Sequence, residues 1–281
     1  MSLEKVSTIL KFADHNRLAA LAVDVFDYQS SFCVIKAAER EKVPVILMFY
    51  PDMDSYIPMS TIVAIAIDTA KKASVPVGVH LDHSKSFEVA IKGLTNGFPS
   101  VMIDGSALPF EENVSLTKQI ADIAHTMGID VEAELGLVGA GSRVEDFIQT
   151  ENYTTCKEAK EFVERTKVDS LAVAIGNSHG HYICEPHLDF KRLDEINKTI
   201  DTPLVLHGGS GIPKDQMSES VKYGINKVNV GTEFFEKCKE ANAKYLNKEK
   251  FILEGYKAAN EEIIDFVRSR IKIINPYQYS L

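Results

Sequence analysis

VPVGVHLDHSKSFEVAIKGLTNGFPSVMID, residues 75–104, spells out one complete unit of the fold. Its first run is apolar and rich in valine, and it stops abruptly at His80, Asp82 and His83. A stretch of helical period follows over Phe87–Asn96, and a second apolar run closes on Asp104. Near-continuous apolar strands joined by an amphipathic helix are the pattern of parallel strands buried on both faces. Burying imidazoles and carboxylates costs free energy unless each finds a partner, so a strand that ends on three of them is built for more than packing. Two further histidines close later apolar runs in the same way, His179 after SLAVAIGNS and His207 after PLVL. Three strand-end histidines from three separate places point to one metal site assembled by the fold.

The same unit recurs along the chain. Eight apolar runs lie at Leu18–Val25, Val43–Tyr50, Val75–Asp82, Ser100–Gly105, Ile129–Gly136, Ser170–Gly176, Pro203–Gly208 and Lys227–Thr232. Helical stretches separate them at Tyr28–Glu41, Met59–Ala73, Phe87–Asn96, Glu111–Met127, Thr155–Thr166, Asp189–Thr199 and Lys214–Tyr223. Pro44, Pro76 and Pro203 sit at strand starts, where a missing N–H is tolerated. Eight strand–helix units fit an α/β fold of the closed (β/α)8 or TIM-barrel type, with a doubly wound open sheet as the alternative. The stretch from Glu233 to Ile271 reads as a long helical stretch, extra C-terminal helices that cover the barrel or a partner subunit. No linker breaks the chain, so residues 1–281 are expected to form one domain.

The net charge of -9 argues against a nucleic-acid-binding face. No apolar run approaches the roughly 20 residues that span a bilayer. The opening MSLEKVSTIL has no signal-peptide pattern, and Cys33, Cys156, Cys184 and Cys238 are scattered without CxxC pairing. A reduced, cytoplasmic setting is the expectation.

In a (β/α)8 barrel the functional residues gather at the carboxyl ends of the strands. Here those ends carry Asp24, Asp82 with His83, Asp104, Glu134, His179, His207 and Asn229. His83, His179 and His207, from the third, sixth and seventh strands, can converge on one ion, and three imidazoles with an open position form a catalytic zinc site. Each histidine alone could merely cap a strand. Cys184 is a conceivable thiolate ligand, although oxygen-rich substrate chemistry favours histidine and carboxylate. Asp82 either exchanges protons with a bound hydroxyl or orients a histidine. Glu134 either binds metal or holds the site together. His80 reads as outer support or a substrate contact, His181 as an ambiguous neighbour of the ligand, His187 as weaker still, and His15 and His125 as surface residues. LHGGSGIP (Leu206–Pro213) and KVNVGTE (Lys227–Glu233) close the last two strands with glycines, a hydroxyl and a helix start, which is the chemistry of a phosphate site.

With these motifs the chain resembles the class II, metal-dependent ketose-bisphosphate aldolases of the fructose- and tagatose-bisphosphate type. HLDHS, GFPSVMIDGSALPFEENV, VEAELG, DSLAVAIGNSHGHY, LHGGSGIP and KVNVGTE carry the resemblance, which covers roughly residues 5–272. It implies reversible retro-aldol cleavage of a ketose bisphosphate to dihydroxyacetone phosphate and an aldehyde such as glyceraldehyde 3-phosphate. It implies one Zn²⁺ per subunit on His83, His179 and His207, with Glu134 near the metal and Asp82 as the acid–base residue. It places Gly180, Gly208, Ser210, Asn229 and Thr232 on the phosphate, with a monovalent cation (Na⁺ or K⁺) close by. It implies a proton-returning glutamate on the loop after the fifth strand, where GLVGAGSRVEDF offers Glu145, with Asp146 as the alternate. The family's habits also suggest a homodimer or homotetramer.

Four departures fall on the aldehyde side of the expected site. Asp24 stands where relatives have asparagine, MFYPDMDSY is bulky and acidic, the loop after the fifth strand is longer, and NPYQYSL lacks a glycine-serine-x-x-Arg ending. An aldolase of the same mechanism acting on a singly phosphorylated ketose is therefore the alternative on substrate. Another metal-dependent sugar-phosphate barrel enzyme and a non-catalytic aldolase-complex subunit are the alternatives on function.

Overall fold

Val77, Val79 and Leu81 alternate with Gly78, His80 and Asp82 along one strand, and the two sets face different worlds. Side chains of a strand point alternately to its two faces. The first set packs with the helices in the large outer core, where each fully buried Val or Leu contributes about 1.5–3 kcal/mol. The second set looks down the barrel axis.

The structure is a computed structural model that describes residues 2–140, 153–180, 182 and 184–275. Eight strands form the barrel: β1 (Ala20–Asp24), β2 (Val45–Phe49), β3 (Val77–Ser84), β4 (Ser100–Ile103), β5 (Asp130–Leu135), β6 (Ser170–Val173), β7 (Leu204–Leu206) and β8 (Ile225–Val230). All neighbours are parallel, and β1 pairs with both β2 and β8, so the sheet closes. This is the expected (β/α)8 barrel, not the open sheet. Each of the eight apolar runs overlaps a strand, and the helices at Tyr28–Glu41 and Phe87–Asn96 keep the expected bounds. Asp27 fixes the start of the first of these through a capping box with Ser30. Ser86 caps the second by accepting from Val89 N at 3.3 Å.

One feature was not expected from the sequence. A helix at Val6–His15 (α1) plugs the amino end of the barrel, with Val6, Ile9 and Leu10 packed on Ala20, Ala22, Ile46 and Met48. Gly78 makes room for it, since a Cβ there would lie 3.0 Å from Val6 Cγ2. Asp130 accepts from the Ser7 backbone N–H of the plug at 2.8 Å. The expected carboxyl-terminal helices are Thr232–Leu246 and Ile252–Ile274. Between them the chain doubles back, with Gly255 seated against Tyr245 and Leu246. This brings Ile263, Val267 and Ile271 of the last helix into the outer core. Asn275 then ties its end to β1 by bonding both N and O of Ala19. With α1 packed against the amino end, the cavity lined by strand-end residues lies at the opposite, carboxyl end of the barrel.

Candidate metal centre

Strand alternation would put Asp82 inside the barrel and His83 outside. The backbone overrules this. Between the pairs Leu81–Val101 and Ser84–Ile103 the register shifts, so three steps of β3 oppose two of β4. His83 adopts a left-handed φ of 36°. A bulge of this kind re-aims a side chain, at a cost of about 1–2 kcal/mol for a non-glycine residue. Asp82 and His83 consequently line the same cavity of about 570 Å³ at the barrel mouth.

His179 reaches that cavity by a different route from the one expected. It does not close the sixth strand, because β6 ends at Val173. The chain bends at Ile175–Gly176, and Asn177 Nδ2 then donates to His207 O at 3.1 Å. Ser178–His179 then forms a two-residue strand pairing with Gly139–Ala140 above the barrel. The Tyr182 hydroxyl accepts from Ser178 N at 2.8 Å and donates to Gly208 O at 3.0 Å, locking this loop to the one after β7.

The result is a tight constellation. His83, Glu134, His179 and His207 each offer one ligand atom, and these atoms all lie within 4.8 Å of one another. The His83 ring centroid is 4.6 Å from that of His179 and 4.5 Å from that of His207. His83 Nδ1 is 2.9 Å from Asp104 Oδ2, which leaves its Nε2 for the centre. His207 Nε2 is 3.1 Å from Glu132 Oε1, which leaves its Nδ1. His179 Nε2, His207 Nδ1 and Glu134 Oε2 are buried atoms without a hydrogen-bond partner. His207 Nδ1 and Glu134 Oε2 are only 2.9 Å apart, yet off the line of a hydrogen bond. Buried polar atoms are nearly always partnered, so three orphans aimed at one point fit a cation, and three nitrogens with one carboxylate oxygen suit zinc chemistry. No cysteine joins the group among the described residues, and Cys184 is exposed.

The electrostatics agree. Burial, followed by repulsion from His83 and His207, lowers the His179 pKa to about 3, so this imidazole is neutral. Burial works against charge on His207, but its contacts with Glu132 and Glu134 win and raise its pKa to about 10. The carboxylates thus draw positive charge to this spot. Against the penalty of burial, the His83 bond holds Asp104 well below the usual carboxylate range. Burial and then the neighbouring Asp82 push Asp24 the other way, well above that range. Asp82 Oδ1 accepts from Asn229 Nδ2 at 3.1 Å, while its Oδ2 lies 3.9 Å from His83 Nε2.

Gly180, Gly208, Ser210, Asn229 and Thr232 line the same cavity, as does Asp24. Gly208 has φ of 66°, and a Cβ on it would lie 2.0 Å from Ser178 O. The helix from Thr232 begins without a side-chain cap, and Glu233 N donates to Ser210 Oγ at 3.3 Å. A helix start whose N-cap is the glycine Gly231, beside glycine turns, still offers N–H groups to an anion.

Glu145, Asp146 and His181 lie outside the described residues. His80 is not a substrate contact, because it is wholly buried beneath the cavity with Nδ1 2.8 Å from Ser100 Oγ. His125 is at the surface, 2.9 Å from Asp169. Sequence reasoning missed Glu132 and Lys227, which meet inside the barrel with Lys227 Nζ 2.8 Å from both Glu132 oxygens. The signal was present: Glu132 and Glu134 are two apart, as are Lys227 and Asn229, so each pair shares the inner face of its strand.

The family model for class-II fructose-bisphosphate aldolase matches residues 4–277. The chain belongs to that family. The enzyme is accordingly an aldolase, a carbon–carbon lyase of class II. It is 42% identical over 238 residues to a probable fructose-bisphosphate aldolase of Bacillus subtilis (strain 168), covering 83% of this chain and 82% of that one. Among solved structures it is similar to the YdjI aldolase from Escherichia coli K12, with a TM-score of 0.87, 34% identity and 97% of each chain covered. It is also similar to a putative fructose-1,6-bisphosphate aldolase from Coccidioides immitis, with a TM-score of 0.84, 30% identity and 96% of each chain covered. The class is generally metal-dependent, in keeping with the donor cluster of this aldolase. No helix among its described residues is long and apolar enough to cross a membrane.

Proposed function

We propose that this aldolase carries out zinc-dependent, reversible cleavage of a ketose phosphate, of the fructose or tagatose 1,6-bisphosphate type, to dihydroxyacetone phosphate and an aldehyde. The observation that carries the reading is the convergence of orphaned donor atoms from His179, His207 and Glu134 with His83, beside Asp82 and inside the cavity lined by the glycine loops. His83, Glu134, His179 and His207 would hold a zinc ion, which would supply an electrophile for the substrate ketone without a Schiff-base lysine.

The rest falls to the chain. Asp82, held through Oδ1 by Asn229, has Oδ2 turned to the centre and takes the proton of the C4 hydroxyl as the bond breaks. Gly180, Gly208, Ser210, Asn229 and Thr232 hold the phosphate of the dihydroxyacetone half, with Na⁺ or K⁺ beside it. The buried Asp24 faces the same cavity and contacts substrate. Glu145, by family resemblance, returns a proton to the carbon left behind.

A second reading of the substrate has its own support. Apart from the histidines, Lys85 is the one basic side chain lining the cavity among the described residues, and it donates to the Tyr50 hydroxyl at 3.2 Å. A cavity with one committed lysine favours an aldehyde half without a phosphate. The test is a coupled assay of dihydroxyacetone phosphate released from fructose and tagatose 1,6-bisphosphates and from singly phosphorylated ketoses. Turnover abolished by chelation and restored by zinc is the expected result. Release of triose phosphate from none of them, or chelator-resistant release, overturns the proposal.

A further inference from the structure

Directly below the four donors the barrel holds a second donor group. His80, Asp82 and Glu132 are all buried, and each offers one ligand atom within 4.8 Å of the others. His80 Nε2 has no hydrogen-bond partner and lies 3.9 Å from Glu132 Oε1. An imidazole and two carboxylates in a dry interior are donors suited to a divalent transition ion. A charge so placed is costly unless paired. The pairing comes from within the chain. Lys227, with no exposed surface, sets its ammonium 2.8 Å from both oxygens of Glu132. Glu132 still reaches His207 Nε2 at 3.1 Å and bonds the Ser170 hydroxyl at 3.0 Å. All the strong acceptor directions of this carboxylate are therefore taken.

We propose that Lys227 is a resident cation filling the inner donor group of His80, Asp82 and Glu132, so that the barrel takes one divalent ion instead of two. In that role it is also a positioning residue. With its charge balanced, Glu132 holds the Nε2–H of His207 and presents Nδ1 to the outer centre. A lysine supplies one charge on a tether that no chelator can remove, where an ion would supply two and demand further ligands.

The inference rests on the outer donors binding the catalytic ion, and metal stoichiometry separates the two. Full-length wild type and Lys227→Ala are loaded with Zn²⁺ or Co²⁺, freed of excess metal and analysed for metal per subunit. Wild type is expected to hold one ion, and Lys227→Ala, with the inner space open and the ammonium gone, to hold two. Adding His80→Ala to that variant should return the count to one. A wild type without metal sinks the outer reading, whereas one ion in both wild type and Lys227→Ala sinks this one. If Lys227→Ala folds only with metal supplied, zinc is titrated into the refolding mixture. Two ions per folded subunit support the proposal; one ion, or a chain still unfolded at saturating zinc, overturns it.

Discussion

Gly208→Ala tests how the loops build the centre. Gly208 sits at φ of 66°, where an alanine is strained by about 1–2 kcal/mol. Its added Cβ would lie 2.0 Å from Ser178 O, 2.6 Å from Ser178 C and 3.2 Å from His179 N. All three are backbone atoms, so no rotamer change relieves the clash. The Ser178–His179 strand has to recede by roughly 1 Å, well beyond the roughly 0.2 Å over which metal–ligand distances hold, and a shift of that size in a reacting constellation costs on the order of 100-fold. His179 is carried with it. Zinc affinity, measured by competition with a chromophoric chelator, is expected to fall about 10–100-fold. The melting temperature should drop by only a few degrees, in line with the backbone strain. A lower melting temperature with zinc affinity unchanged would refute the reasoning, because His179 would then be held independently of the contact with Gly208.

Asp82→Asn keeps the size and burial of the side chain and its Asn229 neighbour, so kcat should fall about 10²–10⁴-fold while zinc content stays at the wild-type level. Asp104→Asn removes the charged partner 2.9 Å from His83 Nδ1; zinc affinity should fall about 10–100-fold with the melting temperature little changed. Gly78→Ala presses a methyl against Val6, Ile46 and Ile9 at 3.0, 3.3 and 3.4 Å. Overpacking there should cost about 1–3 kcal/mol in a urea titration and leave zinc affinity untouched, since the plug lies at the opposite end of the barrel.

Strand and helix order were legible because burial imposes a period on apolar residues, and eight runs with that period leave few ways to fold. Asp24, Asp82, His83, Glu134, His207 and Asn229 were legible as strand-end polar residues. His179 was legible as a residue but not as a place: a two-residue strand has no period, and its partner, Gly139–Ala140, lies far off in the chain. His83 stood beside Asp82 in plain view, but the bulge that turns both to one side is a fact of register between β3 and β4. Glu132 and Lys227 stayed hidden for a related reason. They are 95 residues apart and meet only when the barrel closes, and a lone lysine in an apolar strand usually reads as solvated. The helix at Val6–His15 has an apolar face of Val6, Ile9, Leu10 and Ala13, yet the sequence does not say that this face fills a barrel end.

The whole reading depends on a single ion held by residues from four separate segments. Crystals grown with zinc and measured on both sides of the zinc absorption edge locate it directly. One anomalous peak bounded by His83 Nε2, His179 Nε2, His207 Nδ1 and Glu134 is the predicted result; no peak there, or a peak on other side chains, would contradict the account.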